Sequence, residues 1–380
     1  MRQLGEQRKS RLSPIKILTI ALLVTGAGFV IVNILGLERF FFKGPQTVVQ
    51  LITDSGLKSD HNRVNILLLG TGGAGHEGPD LTDTIMLASI DKDGKDTVLV
   101  SIPRDLWAPS LSAKINHAYA YGEEKDGQGL DLAKDTVRKL FDLPIHYAVR
   151  VDFDGFIKAV DLVGGVDLVV DNSFVDPKYP IPDKENELCG LTIETQEIDS
   201  VPTEVVKDAT GSAIPLAQIT DENNPFLCRY ETLEFDQGPT QMDGQTALKF
   251  VRSRHGTNGE GSDFARSSRQ QKVILAFREK VFSIKTFFDP KTILDLITTF
   301  DQSIDTNVQN DEIPLFIKLS QKIDPAKIRT VVLDSDRPES RLTNGDPQNY
   351  GGQFVLEPKD GTWTDLAEYV QGEIFKLEEK

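Results

Sequence analysis

The stretch VNILLLG, residues 64–70, opens the globular part of the chain and has the composition of a buried strand. Two similar runs follow, IMLASID at 85–91 and TVLVSIP at 97–103. The DKDG between them, residues 91–94, is typical of a hairpin turn. Apolar runs of this length, bounded by turn residues, predict buried strands.

Helical and strand patterns alternate after these strands. LDLAKDTVRKLF (130–141) has a helical period, and FDGFIKAVDLVGG predicts a short helix that ends at the Gly-Gly pair 164–165. The stretch at 116–122 fits either type. This interleaving predicts an α/β fold in three layers, α/β/α, with a central mixed sheet. Further strands are expected at 146–153, 166–170 and 328–333, and further helices at 242–250, 263–284, 290–299, 311–322 and 364–378.

Residues 172–240 interrupt this alternation. They are rich in Pro, Asn, Asp, Thr and Glu with little periodicity, and a loop of this length inside a domain is usually functional or mobile. Both cysteines, Cys189 and Cys228, lie in it. Outside the membrane they can form a disulfide, which would stabilise the fold by about 4 kcal/mol on the chain-entropy model. Two free thiols are the alternative, but we expect the disulfide and an ordered flap.

The N-terminal region has the pattern of a membrane anchor. Residues 17–37 carry no charge, and as a helix they would span about 31 Å, close to the roughly 30 Å of a bilayer core. Residues 1–16 carry an excess of Lys and Arg, so the positive-inside bias places them in the cytoplasm and the rest of the chain outside. A cleaved signal peptide is the alternative, but its apolar core is usually only about 7–15 residues.

We therefore expect a single-pass cell-membrane protein. After the anchor we place a linker at 38–62, a main domain at 63–300 that includes the flap, and a C-terminal extension at 301–380 that packs on or beside it. The chain has a formal net charge of −16, although residues 1–16 are basic. A nucleic-acid-binding domain should be basic, so nucleic acid is excluded as a partner.

A cluster of arginines stands out in this acidic chain. Arg252 and Arg254 lie in VRSRHG, and Asp263, Arg266 and Arg269 lie in DFARSSRQQ. The second group has the spacing of one helix face near an N-terminus, where free N–H groups favour phosphate. The first pair would share one side of an extended segment. Four guanidinium groups can neutralise something like a pyrophosphate, whereas the alternative is ordinary surface ion pairing.

Two acids follow the glycine-rich stretch TGGAGHEGPD. Asp80 and Asp83 stand near the start of a strand, and Mg²⁺ prefers one or two carboxylates together with phosphate oxygens and water. Turn or cap aspartates are the alternative. The glycine-rich stretch itself matches neither a Walker A loop nor a dinucleotide fingerprint, so nucleotide binding is not expected. The chain also contains no Gly-x-Ser-x-Gly elbow and no HExxH pair.

Further polar residues follow the strand at 97–103. SIPRDLW places Arg104 and Asp105 directly after it, where sites on sheets commonly collect. AKINHAYAYG adds Lys114 and Asn116 as donors. His117 is expected to be a structural histidine rather than a catalytic one.

Six stretches of the chain form an ordered set of motifs: LTDTIMLASID, VSIPRDLW, KINHAYAYG, VDFDGF, LVGGVDL and DGQTALKFVRSRHG…DFARSSRQQ. Taken in this order, they closely resemble the LytR–CpsA–Psr family of cell-wall enzymes. The resemblance covers roughly residues 64–285 and implies an α/β/α catalytic domain with an apolar pocket for a lipid tail and Mg²⁺ at a pyrophosphate. Members of that family transfer a glycopolymer from a polyprenyl-pyrophosphate lipid to peptidoglycan.

The resemblance also implies roles for single residues. Asp83 would be a metal-linked acid. Where the family often has an aspartate just after the first strand, this chain has Thr71, and where it often has an arginine before the Asp83 position, this chain has Leu81. We expect Asp80 to replace the missing acid. The implied pyrophosphate ligands are Arg104, Arg252, Arg254 and Arg266, with Arg269 and Gln270 as their helix neighbours and Asp263 as an acid that orients the arginines.

The leading hypothesis is a Mg²⁺-dependent phosphotransferase. An acceptor hydroxyl on peptidoglycan attacks the sugar-linked phosphorus, polyprenyl phosphate leaves, and a phosphodiester remains. Such a reaction depends on positioning and charge neutralisation, with Asp83 or Asp105 as a candidate base. A polyprenyl-pyrophosphate phosphatase is one alternative, and a non-catalytic envelope protein that binds lipid-linked sugars or regulates the envelope is another.

Overall fold

The computed structural model describes residues 56–376 except 75, 77, 183, 199–200, 208–210, 212, 221–222, 282–302, 310 and 360–361. The predicted anchor at 17–37 and the helix predicted at 290–299 lie outside these residues. Among the helices that are described, none is both long and apolar enough to cross a bilayer.

The chain divides into two compact units. The larger comprises Lys58–Val308 and Leu319–Lys380, and it holds the sheet and the site described below. Of the smaller unit, Met1–Leu57 with Gln309–Lys318, the structure describes 56–57, 309 and 311–318, and a helix begins within it at Ile313.

The described residues form seventeen strands and seven α-helices, together with four short 3-10 helices. The strands are β1 (Arg63–Thr71), β2 (Thr82–Asp91), β3 (Thr97–Ile102), β4 (Trp107–Ala108), β5 (Ala113–Lys114), β6 (Tyr147–Asp152), β7 (Val166–Val170), β8 (Phe174–Pro180), β9 (Thr192–Ile198), β10 (Val201–Lys207), β11 (Ala213–Pro215), β12 (Tyr230–Phe235), β13 (Gly238–Met242), β14 (Ile304–Thr306), β15 (Ile328–Val332), β16 (Leu342–Asn344) and β17 (Leu356–Pro358). The helices are α1 (His117–Glu124), α2 (Gly129–Phe141), α3 (Phe153–Leu162), α4 (Gly244–Arg252), α5 (Asp263–Val281), α6 (Ile313–Lys322) and α7 (Trp363–Phe375).

A six-stranded mixed sheet forms the centre of the larger unit, in the order β14-β6-β1-β2-β3-β15. The pairs β1–β2 and β2–β3 are antiparallel, the second as the DKDG turn predicted, whereas β1–β6 and β3–β15 are parallel. Antiparallel neighbours need only a short turn, whereas the parallel ones are joined through helices. The predicted α/β fold with a central mixed sheet is therefore confirmed.

The two faces of the sheet have different partners because side chains alternate along each strand. On one face, Leu67, Leu87 and Val100 pack in one core with residues of α1, α2 and α7, including Phe141 and Val370. On the other face lie α3, α4 and α5, whose apolar residues form a second core with strands β7, β8 and β12. A cavity lies between this second group of helices and the sheet.

Helices α3 and α4 pack unusually close together, and one glycine allows it. A Cβ built on Gly244 would lie 2.2 Å from the carbonyl oxygen of Ile157 in α3. The backbone N–H of Gly244 donates to Asp161 at 2.7 Å, which holds the start of α4 against α3. Asp243 then caps α4 by accepting a hydrogen bond from the N–H of Thr246. These contacts fix the helix that ends at Arg252.

Residues 172–240 are a β-rich insertion rather than the loop that their composition predicted. They contain β8 to β12 and most of β13, with β8 paired to β12 and β9, β10 and β11 forming a separate three-stranded sheet. The predicted disulfide is present and joins Cys189 to Cys228 across a sequence separation of 39 residues. It lies just outside the β8–β12 pair. The insertion was missed because its strands β9 and β10 are mostly exposed and so lack an apolar period.

Most other sequence-based assignments agree with the structure within a few residues, and the ambiguous stretch at 116–122 is mostly helix α1. One local assignment was wrong. Arg252 is the last residue of helix α4, not part of an extended segment, and the chain turns at Ser253 before reaching Arg254. The structure adds β14 at the sheet edge, which the sequence analysis did not predict.

Candidate active site

A cavity of about 580 Å³ opens between the sheet and helices α3, α4 and α5. Its walls are mostly apolar, because both the strands and the helices direct apolar side chains into it. The insertion closes part of the wall with Tyr179, Pro180 and Tyr230. The remaining apolar lining includes Leu68, Met86, Val149, Val151, Phe153, Phe156, Val160, Leu248, Val251, Val273, Ile274 and Phe277.

One part of the lining is charged, and we call it the polar end. Three separate elements supply its arginines: the chain after β3, the end of α4 with the turn that follows, and the first turn of α5. Six residues predicted from the sequence thus come together on one cavity. They are Asp83, Arg104, Arg252, Arg254, Arg266 and Gln270.

Arg104 is tied to acids on both sides. Its Nη1 donates to Oδ1 of Asp83 at 2.5 Å, and its Nε lies 3.5 Å from Oδ2 of Asp105. Lys114 donates to the other oxygen of Asp105 at 2.7 Å. Burial alone would lower the pKa of Arg104, but the two carboxylates outweigh it and raise this pKa. Asp105 and Lys114 do not line the cavity, so they support Arg104 from behind.

Arg254 and Arg266 are less well compensated. Burial, together with the charges of Arg266 and Arg104, lowers the pKa of Arg254 to about 10. The side chain of Arg254 makes no hydrogen bond or ion pair with any residue that the structure describes. Arg266 has one acid partner, Asp263, at 2.7 Å, yet burial still lowers its pKa. An anion bound here would therefore find two guanidinium groups with spare positive potential.

Arg252 is held by aromatic rings rather than by an acid. Its guanidinium carbon lies 4.2 Å from the ring centroid of Phe153 and 5.7 Å from that of Tyr179. Its Nη1 also donates to the Tyr179 hydroxyl at 3.4 Å. Stacking of this kind fixes a guanidinium while leaving its charge available to a ligand.

Asp176, which the sequence analysis did not single out, fixes the turn between Arg252 and Arg254. Its Oδ2 accepts hydrogen bonds from Ser253 Oγ at 2.6 Å and from the N–H groups of Arg254 and His255 at 3.1 and 3.2 Å. Burial alone would raise the pKa of Asp176, but these bonds and one from the N–H of Lys178 lower it. The carboxylate is thus charged and positions the two arginines.

Arg269, for which the sequence suggested a substrate-binding role, lies outside the cavity lining. Its Nε donates to the carbonyl of Phe250 at 2.8 Å, and its Nη2 donates to the carbonyl of Ser253 at 2.7 Å. Its Nη1 donates to Oε2 of Glu260 at 2.7 Å, and the side chain is only 3% exposed. All three nitrogens are occupied by the protein and Arg269 does not line the cavity. The geometry favours a residue that joins α5 to the end of α4 over a substrate ligand.

The start of α5 is also less open than the sequence suggested. The N–H of Asp263 donates to Asp336 at 3.1 Å, and the N–H of Ala265 donates to Ser262 Oγ at 3.1 Å. Two of the N–H groups expected to favour phosphate are therefore used by the protein. One turn further, Gln270 lines the cavity and donates to Thr84 Oγ1 at 3.0 Å, which ties α5 to β2.

The structure does not bring Asp80 to the cavity lining. Oδ1 of Asp80 lies instead 3.9 Å from Nη2 of Arg150. Asn116 is buried and supports strand β2 through its backbone, its carbonyl accepting from the N–H of Thr82 at 3.1 Å. Among the described residues, no three His, Cys, Asp or Glu side chains form a group that could hold a metal ion. Asp83 and Asp152 are the carboxylates of β2 and β6 that line the cavity.

Cavity and polar end together define a class of protein: an α/β domain with a mostly apolar cavity that arginines line at one end. The chain belongs to the LytR_cpsA_psr family, whose model matches residues 44–353.

Relatives and solved structures agree with this membership. A protein of Oceanobacillus iheyensis named polyisoprenyl-teichoic acid–peptidoglycan teichoic acid transferase TagU is 26% identical over 91% of this chain and 86% of its own length. The crystal structure of B. subtilis TagV has a TM-score of 0.52 at 20% identity and covers 84% of this chain and 99% of that one. A structure of TagT bound to LI-WTA has a TM-score of 0.50 at 20% identity, covering 83% and 93%. These two structures share the fold with this chain.

The first prediction concerns Asp176. Replacing it in Asp176→Asn puts an amide N–H₂ among groups that already donate, so we expect a lower melting temperature at pH 7. Because the folded-state pKa of Asp176 is lowered, its stabilisation is fully present above the unfolded pKa of about 3.9 and is lost as pH falls through the folded pKa. We expect thermal unfolding from pH 7 down to pH 3 to show a difference in melting temperature between the wild type and Asp176→Asn. This difference should become smaller below about pH 4. A difference in melting temperature that stays constant over this pH range would contradict this role of Asp176.

Proposed function

We propose that this chain transfers a glycopolymer from a polyprenyl-pyrophosphate carrier to peptidoglycan and forms a phosphodiester. The polar end would bind the pyrophosphate, and the apolar cavity would bind the polyprenyl chain. The names of the relatives support a polyisoprenyl-linked teichoic acid as the kind of donor and peptidoglycan as the acceptor.

The observation that carries this proposal is the surplus of partly buried positive charge. Arg252 and Arg254 have no acid partner among the described residues, and the pKa of Arg254 is lowered by burial and by two neighbouring arginines. Desolvated cations without counter-ions are unfavourable unless a ligand supplies the charge. A pyrophosphate supplies it, with oxygens that match guanidinium forks.

The proposed reaction needs no covalent step on the protein. The acceptor hydroxyl oxygen bonds to the sugar-linked phosphorus, the bond from that phosphorus to the bridging oxygen breaks, and polyprenyl phosphate leaves with the electron pair. Arg254 and Arg266 would neutralise the charge that shifts onto the phosphate oxygens, which is the main requirement in phosphoryl transfer. A base must take the proton of the acceptor hydroxyl. Of the two candidates, Asp83 lines the cavity. Asp105 is instead paired with Lys114 and Arg104.

We further propose Mg²⁺ as the cofactor. Asp83 faces the cavity beside the arginines, its Oδ1 accepts from Arg104, and its side chain is 41% exposed. One carboxylate with phosphate oxygens and water is a donor set that suits Mg²⁺. When bound, the ion would add positive charge at the pyrophosphate. Asp80, 3.9 Å from Arg150 and away from the lining, fits such a site less well.

The second prediction tests the arginines. Arg254→Ala and Arg266→Ala should each lower the rate of polymer transfer by at least about 10-fold, since each removes charge-assisted hydrogen bonds of about 1.5–3 kcal/mol. Arg254→Lys should also be impaired because lysine lacks the fork. The assay is transfer of radiolabelled polymer from a purified lipid-linked donor to peptidoglycan, with circular dichroism to check folding.

The matched control is Arg138→Ala, since Arg138 is an exposed arginine paired with Asp135 on α2. It should transfer at the wild-type rate. Release of soluble polymer phosphate without attachment to peptidoglycan would instead indicate a phosphatase. Normal transfer by both alanine variants would refute the assignment of the polar end.

The third prediction separates the two candidate metal acids. Asp83→Asn should raise the Mg²⁺ concentration needed for half-maximal transfer, whereas Asp80→Asn, only three residues away, should not. The measurement is a Mg²⁺ titration of both variants and the wild type. An unchanged curve for Asp83→Asn would remove the metal from this site, and a shift for Asp80→Asn would restore the role that the sequence suggested for it.

We propose, finally, that residues 17–37 anchor the protein in the cell membrane and that the larger unit faces outward, where the donor and peptidoglycan meet. The uncharged run and the basic residues before it support this, as does the disulfide between Cys189 and Cys228.

The fourth prediction tests this topology. Protease added to intact cells should digest an epitope tag at the C-terminus and spare one at Met1. A tag at Met1 that is digested from outside, or a Cys189–Cys228 pair that is found reduced in cells, would contradict the outward orientation.

A further inference from the structure

The polar end is assembled from separate elements, and the segment after β15 contacts two of them. Strands β3 and β15 are parallel neighbours, so both end at the same edge of the sheet. The chain after β3 reaches Arg104 within two residues. The chain after β15 continues the ladder for one step, where the N–H of Leu333 donates to the carbonyl of Ser101 at 3.1 Å, and then turns towards α5.

We propose that residues 333–356, here called the C-terminal brace, position Arg266 and Arg104 relative to each other, with Asp336 as the residue that fixes the first turn of α5. This inference rests on the proposed function of the polar end, because it concerns how that site is held. It assigns a role to part of the extension at 301–380.

The first half of the brace holds α5. Asp336 accepts from the N–H of Asp263 at 3.1 Å, and the guanidinium carbon of Arg337 lies 4.0 Å from the ring centroid of Phe264. Asp263 in turn pairs with Arg266 at 2.7 Å. Asp336 and Arg337 therefore contact the first two residues of α5, in the helix turn that carries Arg266.

The brace is itself fixed from within. Asp334 is fully buried and forms an ion pair with Nη2 of Arg337 at 2.7 Å, and it also accepts from Arg337 Nε at 2.8 Å. Ser340 Oγ hydrogen-bonds to the same carboxylate, and the N–H of Leu342 donates to the carbonyl of Asp334 at 3.3 Å. A buried carboxylate with this many partners gives its turn one conformation. The position of Asp336 is thereby defined.

The second half of the brace holds the chain around Arg104. The N–H of Leu356 donates to the carbonyl of Asp105 at 2.9 Å, and Leu356 bridges Leu106 as in a parallel sheet. Tyr350 packs edge to face on Trp107 with ring centroids 4.7 Å apart. The brace thus contacts both the start of α5 and the chain around Arg104. The other contacts of α5 with the sheet, through Gln270 and Gln271, lie one turn further along the helix.

The test compares Asp336→Ala with Asp324→Ala. Asp324 is an exposed aspartate that likewise accepts a backbone N–H, from Ala326 at 3.0 Å, but it lies outside the brace. Asp336→Ala should lower kcat for transfer about 10-fold with little change in the acceptor KM, since one hydrogen bond that orients the helix turn is lost. Asp336→Asn keeps an acceptor oxygen and should recover most of the rate. Asp324→Ala should match the wild type.

A double-mutant cycle distinguishes positioning from general stability. In the Arg266→Ala background, Asp336→Ala should have almost no further effect, because the group it positions is gone. An equal loss in both backgrounds, or a rate for Asp336→Ala that matches Asp324→Ala, would overturn the proposal.

Binding provides a readout that does not require transfer. The affinity for farnesyl pyrophosphate can be measured by calorimetry. Asp336→Ala should lower this affinity when Arg266 is present and leave it unchanged in the Arg266→Ala background. If the wild type binds this probe but transfers nothing, the proposed reaction fails while the brace is still tested by binding. If affinity falls equally with and without Arg266, the brace is refuted.

Discussion

The structure around the site depends on one constraint, the burial of several guanidinium groups beside one another. Such charges are unfavourable in a desolvated cavity, and they also repel. The surrounding residues compensate only part of this cost. Arg269 is fully used by carbonyls and Glu260, and Arg104 is paired with Asp83 and Asp105. Arg254 is left without an acid partner among the described residues, and its pKa is lowered to about 10 by burial and by the neighbouring arginines.

The same constraint explains why two acids near the site bind backbone groups rather than the arginine side chains. Asp176 holds the turn at Ser253, and Asp336 holds the start of α5, yet neither takes the charge of the arginine beside it. Each binds backbone N–H groups, which fixes geometry without neutralising a side chain. An acid paired directly with Arg254 would compete with a phosphate ligand. Arg252 and Arg254 thus face the cavity without an acid partner among the described residues.

The sequence predicted the central sheet well because its strands are continuous apolar runs, such as residues 64–70 and 85–91. It predicted the arginine cluster because four arginines in an acidic chain are a local exception. It did not separate Arg269 from Arg266, since helical spacing shows a shared face but not which carbonyls lie opposite. Asp176 and Asp336 could not be found, because each acts on backbone groups at least 70 residues away in the chain. Residues 172–240 were taken for a loop because exposed strands carry no apolar period.

The disulfide between Cys189 and Cys228 divides the insertion into two parts with different freedom to vary. Towards the cavity, β8 and β12 supply Tyr179 and Tyr230 to the wall, so their register is fixed by what they enclose. Beyond the bridge, β9, β10 and β11 form their own small sheet, which contributes no residue to the lining of the cavity. The disulfide therefore marks the boundary beyond which the insertion can change without altering the cavity wall. Related chains could lengthen, shorten or replace the outer sheet during evolution, and the cavity wall would keep its shape because the ends of the exchanged piece stay joined.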